Sequence, residues 1–85
     1  MSIKEQKEIA TVMLVLDDNA LAADVNHILH DFADFIIVRC GVPCRERGTE
    51  IINIVIEADD SGIKELLKKL NKISGVYADA IISPI

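Results

Sequence analysis

Ile9-Ala10-Thr11-Val12-Met13-Leu14-Val15-Leu16, followed by Asp17-Asp18-Asn19, is the stretch on which the fold turns. The run is apolar, short and rich in β-branched residues, and polar turn formers bound it. It therefore predicts a strand rather than a helix. A strand with one wet face alternates polar and apolar residues; this one is apolar on both faces and belongs in the middle of a sheet.

Working outward, Leu21, Val25, Ile28, Leu29 and Phe32 recur at helical spacing and predict a first helix over about residues 19–32, with Asp17, Asp18 and Asn19 as N-cap candidates. Phe35-Ile36-Ile37-Val38 reads as a second strand, and Arg39 to Thr49, with its Gly and Pro residues, as a turn or distorted hairpin end. Glu50 to Ala58 is a third strand, with Ile52, Ile54, Ile56 and Ala58 on one face. Ile63, Leu66, Leu67, Leu70 and Ile73 mark a second helix, with Ser61 in its cap region, Lys64, Lys68, Lys69 and Lys72 on its solvated side, and Ser74-Gly75 as its stop. Val76 to Ile82 is a fourth strand, closed by Pro84.

The order β-α-β-β-α-β, with two right-handed βαβ halves, specifies an α+β fold. It is a ferredoxin-like plait with a four-stranded antiparallel sheet in the order 4-1-3-2 and both helices on one face. Residues 9–85 then form a single domain, and residues 1–8 a flexible polar N-terminus. With 85 residues there is no room for two cores.

Composition narrows the function. The chain is 51% hydrophobic but only 4% aromatic, with fourteen Ile and seven Val, so it carries more aliphatic surface than one sheet face can bury. Strand 1 is apolar on both sides, and Ile51 and Val55 of strand 3 add to the side the helices leave open. An exposed patch of several hundred Å2 is uncommon on monomers, so self-association as a dimer or tetramer, through the open sheet face or an edge strand, is expected. The formal net charge of −5 argues against direct binding to nucleic acid. No apolar run approaches a membrane span, and the charged N-terminus does not read as a signal peptide, so a cytoplasmic location is expected.

Four features are candidates for chemistry. His27 and His30, at i and i+3 on the first helix, lie with Asp24, Asn26 and Asp31 on its polar side. Two imidazoles at this spacing can share a metal, although two ligands do not complete a site. Cys40 and Cys44 have C-x3-C spacing but no second cysteine pair, and in a reducing compartment they read as thiols. Arg39, Arg45 and Arg47 cluster in sequence around Gly41 and Gly48, with Glu46 and Glu50 interleaved. Such guanidiniums can hold a carboxylate or phosphate bidentately, or form an ion-pair network with those glutamates. Asp18 and Asn19, after strand 1, are the last candidates. The phosphate loop of an acylphosphatase-like enzyme, the aromatics of an RNA-recognition domain and the C-x2-C of a copper chaperone are all missing from the corresponding positions, and no nucleophile–base pair is evident.

Val15-Leu16-Asp17, Val25-Asn26-His27-Ile28-Leu29 and above all Ile36-Ile37-Val38-Arg39-Cys40-Gly41-Val42-Pro43-Cys44-Arg45-Glu46-Arg47-Gly48 resemble the iron-only hydrogenase system regulators. These are small ACT-like domains related in fold to the C-terminal domain of the nickel-responsive repressor. The closing Leu70-Asn71-Lys72-Ile73-Ser74-Gly75-Val76 is similar to the helix 2–strand 4 joint of ACT-like domains. The resemblance implies a homo-oligomeric regulatory or sensing domain and does not imply catalysis; the chain itself shows no helix-turn-helix or ribbon-helix-helix segment for DNA, and no cofactor is expected. A small effector would then sit at a subunit interface near Arg39, Arg45, Arg47, Gly48, Asp18 and Asn19. The alternatives are a sensor of nickel or another transition metal using Cys40 and Cys44 with His27 or His30, and a ligand-free adaptor whose arginines bridge subunits.

Overall fold

The computed structural model describes residues 7–84. Strands β1 (Glu8–Leu16), β2 (Ile36–Cys44), β3 (Thr49–Ala58) and β4 (Val76–Pro84) and helices α1 (Ala22–Asp31) and α2 (Asp60–Asn71) follow in the order β1-α1-β2-β3-α2-β4. The sheet is antiparallel throughout, ordered β2-β3-β1-β4, which is the expected ferredoxin-like order read from the other edge. The two most aliphatic strands occupy the centre, where a neighbouring strand covers each edge and the helices cover one face.

Period-two alternation sorts each strand between the two faces. Ala10, Val12, Leu14 and Leu16 of β1, Ile52, Ile54, Ile56 and Ala58 of β3, and Val76 of β4 are buried on the helix side. Val25 and Leu29 of α1, with Ile63, Leu66 and Leu70 of α2, close over them to complete the core. No polar or charged residue is buried among the described residues. Truncating a central member such as Leu14, fully buried, removes both transfer energy and packing, a loss of about 2–5 kcal/mol.

The opposite sheet face carries no helix. Register aligns Tyr77, Val15, Ile51 and Val42 in one row across the sheet, Asp79, Met13, Asn53 and Cys40 in the next, and Ile81, Thr11, Val55 and Val38 in a third. Met13 is 49%, Tyr77 64% and Ile81 75% exposed.

Local structure departs from the sequence reading in several places. The first helix begins at Ala22, not near residue 19, and its N-cap is Leu21, which makes no side-chain cap bond. Asp17 is not a cap because its Oδ1 accepts from the Asn19 N–H at 2.9 Å, an Asx turn that competes with helix initiation. The cap of α2 is Asp59 rather than Ser61: Asp59 Oδ1 accepts from the Gly62 N–H at 2.7 Å, and the Ser61 hydroxyl donates to the same oxygen.

The stretch Arg39–Cys44 is strand, not turn. β2 runs on to Cys44, paired with Thr49, despite Gly41 and Pro43. The pairing persists because β2 is an edge strand, where a missing N–H is tolerated, and the reversal is confined to a 3-10 turn, Arg45–Arg47, with Gly48 at φ +65°. Glu8, expected in the flexible terminus, opens β1 opposite Ala58 and Pro84. Residues 1–6 lie outside the described residues.

The two sheet edges differ. On β4, the Asn71 carboxamide holds both the N–H and the carbonyl of Ala78, and Asp79 Oδ1 accepts from the Ala80 N–H at 2.8 Å. On β2 the pairing slips between Ile36 and Val38, a β-bulge.

Candidate functional site

Three connections meet at one end of the sheet. The Asp17 N–H donates to the Gly75 carbonyl at 2.8 Å, tying the β1–α1 loop to the α2–β4 joint. Gly75 sits at φ +82°, and a Cβ there would collide with the Asp17 carboxylate, so both the backbone angle and the close approach require glycine. Gly48 lies on the other side of the same loop, where an added Cβ would stand 3.7 Å from Asp18 Cβ. Thus Asp18 and Gly48, distant in sequence, become neighbours. Asn19 and Arg47 are exposed at the same end, and Arg45 lies in the turn that precedes Gly48.

Arg39 is not part of that group. It sits on β2 opposite Ile54, five residues before Cys44, hence roughly 16 Å along the strand from the hairpin turn. The arginines that cluster in sequence are therefore spread along the strand. Arg39 shares the helix side of the sheet with its partner Ile54, and its Nη2 donates to Oδ1 of Asn26 on α1 at 2.6 Å. This bond bridges a cleft of about 310 Å3 between α1 and β2, lined by Asn26, Leu29, His30, Ala33, Ile36 and Arg39. No carboxylate lies within ion-pair distance of Arg39 among the described residues. Of the interleaved glutamates, Glu50 turns its carboxylate over Gly41, where Oε2 would be 3.5 Å from an added Cβ. Asn26 is the contact that sequence reasoning missed. Its signal was weak: a polar residue one turn before His30 on a helix whose cleft partner lies thirteen residues away.

The cysteines and histidines do not converge. Cys40 pairs with Asn53 and belongs to the open sheet face, whereas His27 and His30 are exposed on α1, across the sheet. Cys44 is four residues along the same strand, roughly 13 Å from Cys40, beyond the reach of a shared metal ion or a disulfide. His27 Nε2 stands 4.0 Å from Asp31 Oδ2, an exposed i,i+4 pair. Among the described residues no group of three or more His, Cys, Asp or Glu is placed to hold a metal ion.

A helical pair on one face of a β2-β3-β1-β4 antiparallel sheet, with three loops gathered at one end, defines a small ferredoxin-like domain. Within that class, residues 8–80 match the model of the TM1266-like family, described as "Iron-only hydrogenase system regulator, putative". The chain belongs to this family. It is similar to the solved structure of the uncharacterized protein TM1266 from Thermotoga maritima, with 33% identity and a TM-score of 0.87 over 91% of this chain and 98% of that one. Another solved structure is LarC2, the C-terminal domain of a cyclometallase involved in the synthesis of the NPN cofactor of lactate racemase. It is 8% identical at a TM-score of 0.49, over 94% of this chain and 59% of that one. No curated protein matches. None of the helices among the described residues is long and apolar enough to cross a membrane.

Proposed function

We propose that the chain is a homo-oligomeric regulatory domain, not an enzyme, that binds a small anionic or amino-acid-like effector and acts through a partner protein rather than on DNA. The observation that carries this reading is the α1–β2 cleft, where Arg39 is oriented by Asn26 and, among the described residues, meets no carboxylate. A guanidinium held by one neutral acceptor keeps donors free for a carboxylate or phosphate. The apolar wall of Leu29, Ala33 and Ile36 gives a short ligand body something to pack against. The family's regulator description agrees with a binding role.

The end of the sheet where Asp18, Asn19, Arg47 and Gly48 gather, with Arg45 in the adjoining turn, is the second part of this reading. There a partner subunit would complete the enclosure, since the loops of one copy are exposed. A purely intersubunit role for the arginines predicts no ligand at all.

A thermal-shift series with amino acids, short carboxylates, nucleotides and inorganic phosphate tests the reading. A ligand at about 100 times its Kd adds about 2.7 kcal/mol and raises the midpoint accordingly. Arg39→Ala should abolish the shift and Arg47→Ala should weaken it. Shifts untouched by Arg39→Ala would remove the cleft from the proposal. The absence of any shift across the series, with both variants silent, favours the adaptor reading.

A further inference from the structure

We infer that the open face of the sheet seats a second copy of this chain face to face, and that neither sheet edge is the contact. This deepens the homo-oligomeric part of the proposed function and does not depend on the effector.

The edges are protected and the face is not. On β4 the outward backbone groups of Ala78 are both occupied by Asn71, and the Ala80 N–H is taken by Asp79. A strand added there would have to break these bonds first. β2 carries a bulge between Ile36 and Val38 and has Pro43 in its last turn of pairing. A bulge and a proline are two of the devices by which edge strands avoid pairing with another chain. Lysine, another such device, occurs in none of the four strands: Lys64, Lys68 and Lys69 belong to α2 and Lys72 follows it, on the other side of the sheet.

The open face has the size and character of an interface. Its strands are nine or ten residues long. At ~3.3 Å per residue and ~4.8 Å between strands, the face measures about 30 Å by 19 Å, a footprint of about 570 Å2. Two such faces together exceed the ~1,000 Å2 that marks a specific contact. Its three aligned rows hold eight large apolar side chains, Tyr77, Val15, Ile51 and Val42 in one outer row, Ile81, Val55 and Val38 in the other, and Met13 between them, with Thr11, Asn53 and Cys40 as the uncharged residues among them. The charges on this face are Asp79 on an edge strand and Glu57 near the end of β3, so both lie at the border, where water still reaches a stacked pair. Sheets stacked in this way interdigitate their side chains at about 10 Å separation.

The test is the molar mass in solution of the full chain, measured by light scattering across a concentration series. The wild type is expected at twice the chain mass of 9.3 kDa, or a larger even multiple. Met13→Glu, at the centre of the face, should halve that mass; Ile81→Glu, already 75% exposed in the single chain, does the same without a folding cost. Ile37→Lys, on the exposed β2 edge, should leave it unchanged. Circular dichroism checks that each variant is folded. A monomeric wild type, a mass insensitive to both glutamate variants, or a mass halved by Ile37→Lys alone each overturns the inference. None of these outcomes touches the ligand series above.

Discussion

The side chain of Asn71, at the end of α2, pairs with both backbone groups of Ala78 on β4: Nδ2 donates to the Ala78 carbonyl at 2.9 Å, and the Ala78 N–H donates to Oδ1 at 2.8 Å. One carboxamide thus fixes how α2 lies against the sheet and finishes the outer side of an edge strand whose one neighbour is β1. Asn71→Ala should cost about 1–2 kcal/mol, the net worth of two hydrogen bonds that water partly replaces. Asn71→Asp keeps the acceptor for the N–H but sets a carboxylate against the Ala78 carbonyl, and should cost at least as much. Urea unfolding of the two variants checks this. Wild-type stability in both would mean that the pairing contributes nothing in solution.

Gly75 and Gly48 both adopt positive φ, yet alanine should be tolerated very differently at the two positions. At Gly48 the new Cβ finds only Asp18 Cβ at 3.7 Å, so Gly48→Ala should cost about 1–2 kcal/mol for the left-handed backbone alone. At Gly75 the same backbone cost is joined by a clash with the Asp17 carboxylate, and the Ala20 nitrogen stands only 3.0 Å away. Asp17 would have to move and give up the Asn19 N–H. Thermal unfolding should rank Gly75→Ala well below Gly48→Ala, with Asp17→Ala recovering part of the loss in the Gly75→Ala background.

These glycines mark the boundary of what could be read from sequence. The sheet order, both helices and the buried stripes Val12/Leu14, Ile52/Ile54/Ile56 and Ile63/Leu66/Leu70 follow from periodicity and chain connectivity, which act locally. The Gly75–Asp17 and Gly48–Asp18 approaches are tertiary, and nothing in the spacing of the residues encodes them. Arg39 illustrates the same limit. Its neighbours Gly41 and Pro43 signal a turn, but pairing with β3 overrides that signal at an edge where their defects are cheap. Extending the strand moved Arg39 away from Arg47 and toward Asn26, and it put Cys40 on the face opposite the histidines.

At the start of α2, Lys64 Nζ lies 2.9 Å from Asp60 Oδ2. The hydrogen bond to Asp60, with the attraction of its charge, holds the Lys64 ammonium above its ordinary value of 10.5. A cation whose folded pKa is raised contributes stability that is fully present below the unfolded value and lost as pH rises through the folded one. The pair is exposed, so its effect is small and screened by salt. In urea titrations the gap between wild type and Lys64→Met should therefore be constant from neutral pH, where Asp60 is ionised, up to pH 10.5, close above it, and shrink in 1 M salt at neutral pH. A gap that widens with alkaline pH would contradict the sign.

The placement of the cysteines and histidines bears on metal binding in a way that can be measured directly. Cys40 and Cys44 are on the sheet, roughly 13 Å apart, and the imidazoles of His27 and His30 sit on α1, that of His27 4.0 Å from Asp31. Among the described residues, a single chain offers nickel or zinc no group of three ligands, and the exposed histidine pair is at most a two-ligand site of low affinity. Protein prepared without a histidine tag should bind substoichiometric nickel at micromolar metal. Cys40→Ser and Cys44→Ser should leave that binding unchanged, and a chelator should not move the unfolding midpoint. Tight stoichiometric nickel lost in Cys40→Ser would instead require ligands brought together from two chains, since one chain holds its thiols and imidazoles on opposite sides of the sheet.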